Sequence, residues 1–445
     1  MLLIYVDRLT NRLGYTLNLV FEDILGIKYS ITNNKKDFSS HEGFKLSYSK
    51  KKISDEFFIY SKELLFETII EDKFIECFNS NGFPAIFKTY SKSSELNFDV
   101  FASIFYFVSR YEEYLPYIQD SHGRFRPQES FAYKNGFLNK PIVNIWAKHL
   151  EEKLKSFYPD LQIDNPKVFR FLNTIDVDSA YSVLEKSWLR IGWGMLRDLF
   201  RGDLSEVIYK IKVIRKKEMD PFDNFNYLFS LMSKYHFKTI FFVLFGRYGK
   251  YDKNISSENR KFQQLVKNLC DYAKVGIHPS YASYDEPELL KNQLKKLKSV
   301  INKPIYRSRF HYLRFSLPNS FRVLIENKIT EDFSMGYSAC TGFRAGISNG
   351  FNFYDLEYDY ETKLRLFPFV IMDTALKTYL KLSPQEAKSQ IKNLIDEVRS
   401  VDGYFISLWH NESLSNRYDW KGWKEVYEWM IDYISKYDRL EINKT

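Results

Sequence analysis

Phe169-Arg170-Phe171-Leu172-Asn173-Thr174-Ile175-Asp176-Val177-Asp178 is the stretch whose reading decides the fold. An apolar strand, Phe169–Ile175, runs into two acids separated by one residue, and alternate residues of a strand leave it on the same face. Asp176 and Asp178 are therefore expected to point at one site. Two close carboxylates repel, so one would stay protonated unless a divalent cation lay between them. Capping of a following helix accounts for one such acid more readily than for both.

Outward from this strand the pattern repeats. Six further apolar runs follow: Thr239–Phe245, Lys274–Ile277, Ile305–Phe310, Lys328–Phe333, Leu366–Met372 and Tyr404–Trp409. Helical periodicities separate them at about 186–236, 257–273, 286–300, 318–326, 373–380 and 384–399, with a last helix after Trp420. Ser383-Pro384-Gln385-Glu386 reads as a capping box with Pro at the first helical position. Strand–helix alternation on this scale implies parallel strands, hence a (β/α) barrel or a doubly wound sheet.

Parallel strands present their chemistry at the C-terminal tips. Those tips carry Asp176 and Asp178, then His278, Arg309 with His311, Asp332, Asp373 and His410, and only the second strand has none. Three of the seven histidines close strands. Gathered on one rim, three imidazoles and several carboxylates are the raw material of a metal hydrolase. Each has a plainer use: Asp332 and Asp373 as helix caps, His278 as a satisfied core histidine ahead of Pro279. Arg309 and His311 share a strand face in an apolar setting, where a buried guanidinium needs a carboxylate. His410 at the end of Leu408-Trp409 suits proton transfer near neutral pH.

Upstream, residues 1–165 read as a small α/β domain: a strand at Met1–Val6, a helix around Asn11–Leu25, three strand-like runs, a strand Pro84–Tyr90 and a helix Phe98–Leu115. Met1–Val6 is too short for a leader and is followed by Asp7 and Arg8. No chemistry is assigned to this domain, and His122 in the polar loop Ser121–Arg124 reads as a surface residue. The boundary is expected near Tyr158–Lys167, where Pro159, Asp160, Asp164, Asn165 and Pro166 interrupt both periodicities. Residues 166–445 form the second domain.

Composition narrows the function classes. With 27% charged and 44% hydrophobic residues over 445 positions, disorder and low complexity are excluded as the main state. The net charge of +9 reads as mild and spread along the chain, which argues against a nucleic-acid partner. Cys77, Cys270 and Cys340 lie far apart, so neither a disulfide framework nor a thiolate zinc site is expected, and a reducing, cytoplasmic location is. The longest apolar runs fall far short of the roughly 18 residues of a membrane span. A basic surface can still rest against anionic lipid. The segment Tyr181–His236, with Trp188, Trp193 and Arg215-Lys216-Lys217, either roofs the cleft and grips an anionic or lipid-linked glycan or forms a solvated helical pair, the commoner use.

The ordered set Thr174-Ile175-Asp176-Val177-Asp178, Gly276-Ile277-His278-Pro279-Ser280, Arg309-Phe310-His311-Tyr312, Asp332-Phe333-Ser334 and Leu408-Trp409-His410 resembles the polysaccharide deacetylases of the NodB-homology type, carbohydrate esterase family four. The resemblance covers about 168–435. More narrowly the chain resembles a Bacteroidetes branch with an extra N-terminal domain, through Arg110-Tyr111-Glu112-Glu113-Tyr114, His122-Gly123-Arg124-Phe125 and Gly342-Phe343-Arg344-Ala345-Gly346. It implies a distorted (β/α) barrel of seven strands, and a metal-dependent hydrolase that removes an N-acetyl or related acyl group from a carbohydrate, with water activated by the metal as nucleophile. By the same resemblance, Asp176 is the general base, held ionised by Arg309; Asp178 and His278 bind a divalent metal, usually zinc; His410 is the general acid, with Asp332 or Asp373 as its partner. The backbone near Tyr312 is the expected oxyanion donor. One departure matters: the second metal-binding His, four residues after the first, is replaced by Ala282. His311, standing where most members have Pro, is expected to supply the missing ligand. Two other outcomes stay open: a catalytically inactive glycan-binding or scaffold protein on the same fold, favoured by Ala282, and a hydrolase of a non-carbohydrate amide or formyl group.

Overall fold

Short apolar segments early in the chain pair into a sheet of their own. In the computed structural model, which describes residues 1–163 and 167–442, Leu2–Val6 (β1), Tyr29–Thr32 (β2), Lys45–Ser49 (β3) and Phe57–Tyr60 (β4) form a parallel sheet in the order β2-β1-β3-β4. The helix Val100–Val108 lies in the core, every residue of it buried. It starts where the Asp99 side chain accepts from the Ala102 N–H at 2.9 Å. It ends earlier than the periodicity predicts, because Arg110 takes a left-handed conformation (φ 54°) and Tyr111–Tyr114 forms a separate tight turn. The expected strand Pro84–Tyr90 shrinks to Phe83–Ala85 (β6), which pairs antiparallel with Phe78–Ser80 (β5); Phe87, at φ 53°, cannot continue an extended strand. Of the boundary segment, Asp164, Asn165 and Pro166 lie outside the described residues.

A second, nine-stranded sheet carries the rest. Its strands are Arg170–Val177 (β7), Thr239–Leu244 (β8), Lys274–His278 (β9), Arg307–Ser308 (β10), Glu331–Asp332 (β11), Phe351–Asp355 (β12), Tyr360–Leu366 (β13), Ile371–Met372 (β14) and Tyr404–His410 (β15). The hydrogen-bonded order is β12-β13-β11-β10-β9-β8-β7-β15-β14, parallel throughout except for the β12–β13 hairpin. The fold is mixed α/β. All seven strands read from the sequence are present, four of them shorter and β7, β9 and β15 slightly longer; the hairpin brings the count above seven. In its second strand, buried Thr362, Leu364 and Leu366 alternate with the more accessible Lys363 and Arg365, a period-two signal the sequence carries.

The two sheets are joined by charge as well as by apolar packing. Glu113 accepts from Arg110 Nε at 2.7 Å and from Arg344 Nη2 at 2.6 Å, Arg110 also pairs with Glu112 at 2.8 Å, and a second Arg110 nitrogen donates to the Arg344 carbonyl. All four side chains are buried. Beside them Gly342 holds φ 118°, and a Cβ there would sit 2.6 Å from the Leu138 carbonyl oxygen, so this close approach needs glycine.

Candidate active site

Register brings the strand tips together. His410 pairs with Asp176 across β15 and β7, Leu244 with His278 across β8 and β9, and Ser308 of β10 with both Ile277 and Asp332. Asp176 and Asp178, two residues apart at the end of β7, both line a cleft of about 340 Å³, with His278, His311, His410 and Glu412. Leu408, Met372 and Phe310 add apolar wall.

Asp178 is the hub. Its Oδ1 lies 3.2 Å from His278 Nε2, and its Oδ2 lies 3.3 Å from His311 Nε2 and 3.8 Å from His410 Nε2. Burial opposes its charge, but His311, His278 and His410 outweigh that and hold its carboxyl well below the usual range. One ligand atom from each of Asp178, His278 and His311 lies within 4.8 Å of the others.

The histidine tautomers decide what this cluster can hold. His278 Nδ1 is 2.6 Å from the Arg309 carbonyl, which can only accept, so that nitrogen carries a proton and Nε2 is the atom turned to the cluster. His311 Nδ1 is 2.8 Å from Asp252 Oδ1, which fixes the ring; burial disfavours its imidazolium, but Asp178 on the Nε2 side and Asp252 outweigh it and raise its pKa to about 9, so a cation would displace the Nε2 proton. Two imidazole Nε2 atoms then face one carboxylate, and Asp178 Oδ1 is buried without a hydrogen-bond partner. One carboxylate and two imidazoles, each steadied through its far nitrogen, fit a divalent cation such as zinc with open positions left over. Ala282 sits exposed on the turn Tyr281–Tyr284 and offers nothing to the site.

Two further pairs flank the cluster. Arg309, fully buried, donates from Nη1 to Asp176 Oδ1 at 2.8 Å and from Nε to the Phe333 carbonyl at 2.9 Å, with its guanidinium 4.6 Å from the Phe242 ring centroid. Asp176 Oδ2 is left toward the cluster, 3.7 Å from His278 Nε2. His410 Nδ1 lies 2.8 Å from Asp373 Oδ1, whose other oxygen accepts the His410 backbone N–H at 2.7 Å. Burial disfavours the imidazolium, but Asp373 overcomes it and raises the His410 pKa well above its ordinary value.

Asp332 does not partner His410. It accepts from the Ser308 hydroxyl at 2.7 Å and from the Ser334 N–H at 2.8 Å, fixing the neighbouring strand ends, and burial lifts its pKa to about 6. Tyr312 follows His311 in a left-handed conformation (φ 61°), its carbonyl accepting from Arg124 Nη1 at 2.6 Å.

Three contributors escape the sequence reading. The second strand, without an acid at its tip, acts through Asp252, eight residues past its end. Glu412 lines the cleft two residues after His410, where burial raises its pKa. Arg124 reaches the cleft from the N-terminal part of the chain, and His122 beside it bonds the Tyr281 hydroxyl at 3.0 Å. His122 thus packs against Tyr251 and Tyr312 of the cleft lining rather than standing free on the surface.

Residues 2–159 match the model of DUF7033, a family of unknown function. No curated protein matches the sequence. Among solved structures, the chain is similar to a probable polysaccharide deacetylase from Pseudomonas aeruginosa PAO1 at 8% identity, covering 60% of this chain and 84% of that one, with a TM-score of 0.38. It is similar to the Puue allantoinase at 9% identity, 60% and 84% coverage and a TM-score of 0.38. It is also similar to a CE4 family pseudoenzyme from Bacillus anthracis at 11% identity, 61% and 62% coverage and a TM-score of 0.30. Likeness at this level carries no activity across.

Proposed function

We propose that the chain is a metal-dependent hydrolase that removes an N-acetyl group from a carbohydrate, with residues 166–445 forming the distorted NodB-like barrel and residues 1–165 a domain that walls its cleft. The observation that carries this reading is the convergence of Asp178, His278 and His311 within 4.8 Å, between a carboxylate tethered by Arg309 and an imidazole tethered by Asp373.

A divalent cation held by Asp178, His278 and His311 would supply Lewis acidity, polarising the acyl carbonyl and acidifying water. The protein's own groups do the rest. Arg309 occupies Asp176 Oδ1, leaving Oδ2 to accept a proton from the attacking water. The water oxygen bonds to the acyl carbon first, and the C–N bond breaks as the resulting oxyanion re-forms the carbonyl. The sugar nitrogen is a poor leaving group until protonated, and His410 Nε2 is the donor. Its proton is retained near neutral pH because Asp373 faces Nδ1. The Tyr312 N–H stands next in the chain to His311 as an oxyanion donor. Acetate and a free amine leave. The apolar wall of Leu408, Met372 and Phe310 suits the acyl methyl.

The test is metal analysis of the purified protein combined with acetate release from a panel of N-acetylated oligosaccharides. Bound metal with acetate release is the expected result. Tight glycan binding with neither metal nor release would replace this reading by the non-catalytic one.

Asp252 offers a narrower test. It is not itself one of the ligands but bonds His311 Nδ1 and so orients that ring. Asp252→Ala is expected to weaken zinc affinity roughly 10–100-fold, measured by competition with a chromophoric chelator. An unchanged affinity would remove His311 from the ligand set.

A further inference from the structure

The helices Trp188–Phe200 and Leu204–Ile214, between the first two strands of the large sheet, are built inside out. Leu189, Trp193, Leu196 and Phe200 fall at i, i+4, i+7 and i+11, the spacing of a single helical stripe. In a water-facing helix that stripe turns inward, but here it is exposed: Leu189 at 77%, Trp193 at 71% and Phe200 at 84%. Leu204, Ile208 and Ile211 repeat the arrangement on the second helix and are exposed too. The ion pair Asp198–Lys210 lies buried between the two helices. Charge inside and tryptophan outside is the reverse of a solvated helical pair.

The charge of this segment is equally one-sided. Residues 186–217 hold nine Lys and Arg against three Asp and Glu, so +6 of the chain's +9 sits in 32 of its 445 residues. Lys212, Arg215, Lys216 and Lys217 are exposed at the end of the hairpin. Lys186, Arg190, Arg197 and Arg201 line a cavity of about 940 Å³ together with Leu189 and Trp193 of the stripe and the acids Asp198, Asp203 and Glu206. Exposed Trp, Leu and Phe combined with Lys and Arg form the signature of a segment lying in the plane of a bilayer interface.

We propose that residues 186–217 dock the protein on an anionic membrane surface, inserting the Leu189–Trp193–Phe200 stripe between headgroups while the basic residues engage lipid phosphates. Charge complementarity selects this occupant over a second copy of the chain, since two copies would bring two +6 segments face to face. The hairpin is also tied to the loops that build the cleft. Arg190 donates to the carbonyls of Lys253 (3.1 Å) and Asn254 (3.3 Å), which follow Asp252, and Arg417, seven residues after His410, pairs with Glu206 at 2.7 Å. Docking by this hairpin therefore sets the mouth of the cleft beside the bilayer, where a substrate presented on lipid would meet it.

The test is flotation of the full-length protein with vesicles of pure phosphatidylcholine or of equimolar phosphatidylcholine and phosphatidylglycerol. Binding to the anionic vesicles is expected to exceed the neutral ones by more than about tenfold and to fall with added salt. The double variant Trp193→Ser/Phe200→Ser, which alters only exposed side chains, is expected to lose that binding at unchanged far-ultraviolet circular dichroism. Should that pair misfold, Leu189→Gln with Ile208→Gln reads the same loss. Equal binding to both vesicle types overturns the proposal. So does a dimer in solution that the Trp193→Ser/Phe200→Ser variant splits, which would make the stripe an interface between copies. Metal chelation is expected to leave vesicle binding unchanged, so this result stands or falls separately from the hydrolase reading.

Discussion

Asp176→Asn is expected to lower acetate release by roughly 10²–10⁴-fold while bound metal stays close to stoichiometric. Asparagine keeps an oxygen for the Arg309 Nη1 bond, now 2.8 Å to Asp176 Oδ1, so the side chain stays in place and only the basic oxygen is lost. His311→Ala is the contrasting variant: one of the three gathered ligand atoms disappears, and metal and activity should fall together. The first substitution carries a stability cost as well. Arg309 is fully buried, and its strong, charge-assisted partner becomes a neutral amide, a loss of about 1–3 kcal/mol. Turnover is therefore compared at a temperature where both proteins are folded by circular dichroism. If Asp176→Asn instead sheds the metal and keeps its fold, the roles of the two aspartates are exchanged.

What the sequence made legible is what a strand's period writes into it. Asp176 and Asp178 announce a shared face because they sit two apart at the end of an apolar run, and His278 and His410 announce themselves by ending such runs. Asp252, Arg124 and Glu412 have no such signature. Asp252 lies in a loop with no periodicity, and its role depends on where His311 Nδ1 points. Arg124 reaches the cleft by the packing of one sheet's loops on another, which local pattern does not encode. The net charge gives a similar lesson, since a chain-wide +9 conceals that most of it belongs to the segment 186–217. Asp332 errs in the other direction. It has the position of a catalytic partner, but Ser308 and Ser334 satisfy it locally, and no strand pattern distinguishes that from a link to His410.

Glu113→Ala is expected to cost about 3–5 kcal/mol of stability, read as a lower urea midpoint. The carboxylate is shared by Arg110 and Arg344, and both guanidiniums are buried. Arg110 would keep Glu112, but Arg344 would retain only neutral acceptors such as the Gly336 carbonyl at 3.0 Å. The penalty comes from stranding a buried cation rather than from losing an attraction. It follows that the double variant Glu113→Leu/Arg344→Met, which removes anion and cation together, should recover part of the loss. The pH dependence carries the same signature. Burial works to raise the Glu113 pKa, but Arg344 and Arg110 outweigh it and hold the pKa below its ordinary value. Its contribution is therefore complete above the ordinary glutamate range and is lost as pH falls through the depressed folded value. The Glu113→Ala protein should show a shallower acid dependence there than the wild type. Because Arg110 follows the helix Val100–Val108 and Arg344 lies in the loop between β11 and β12, loosening this junction should also disturb the Arg124–Tyr312 contact at the cleft. A variant that unfolds at the wild-type midpoint would show the junction to be held by its apolar packing alone.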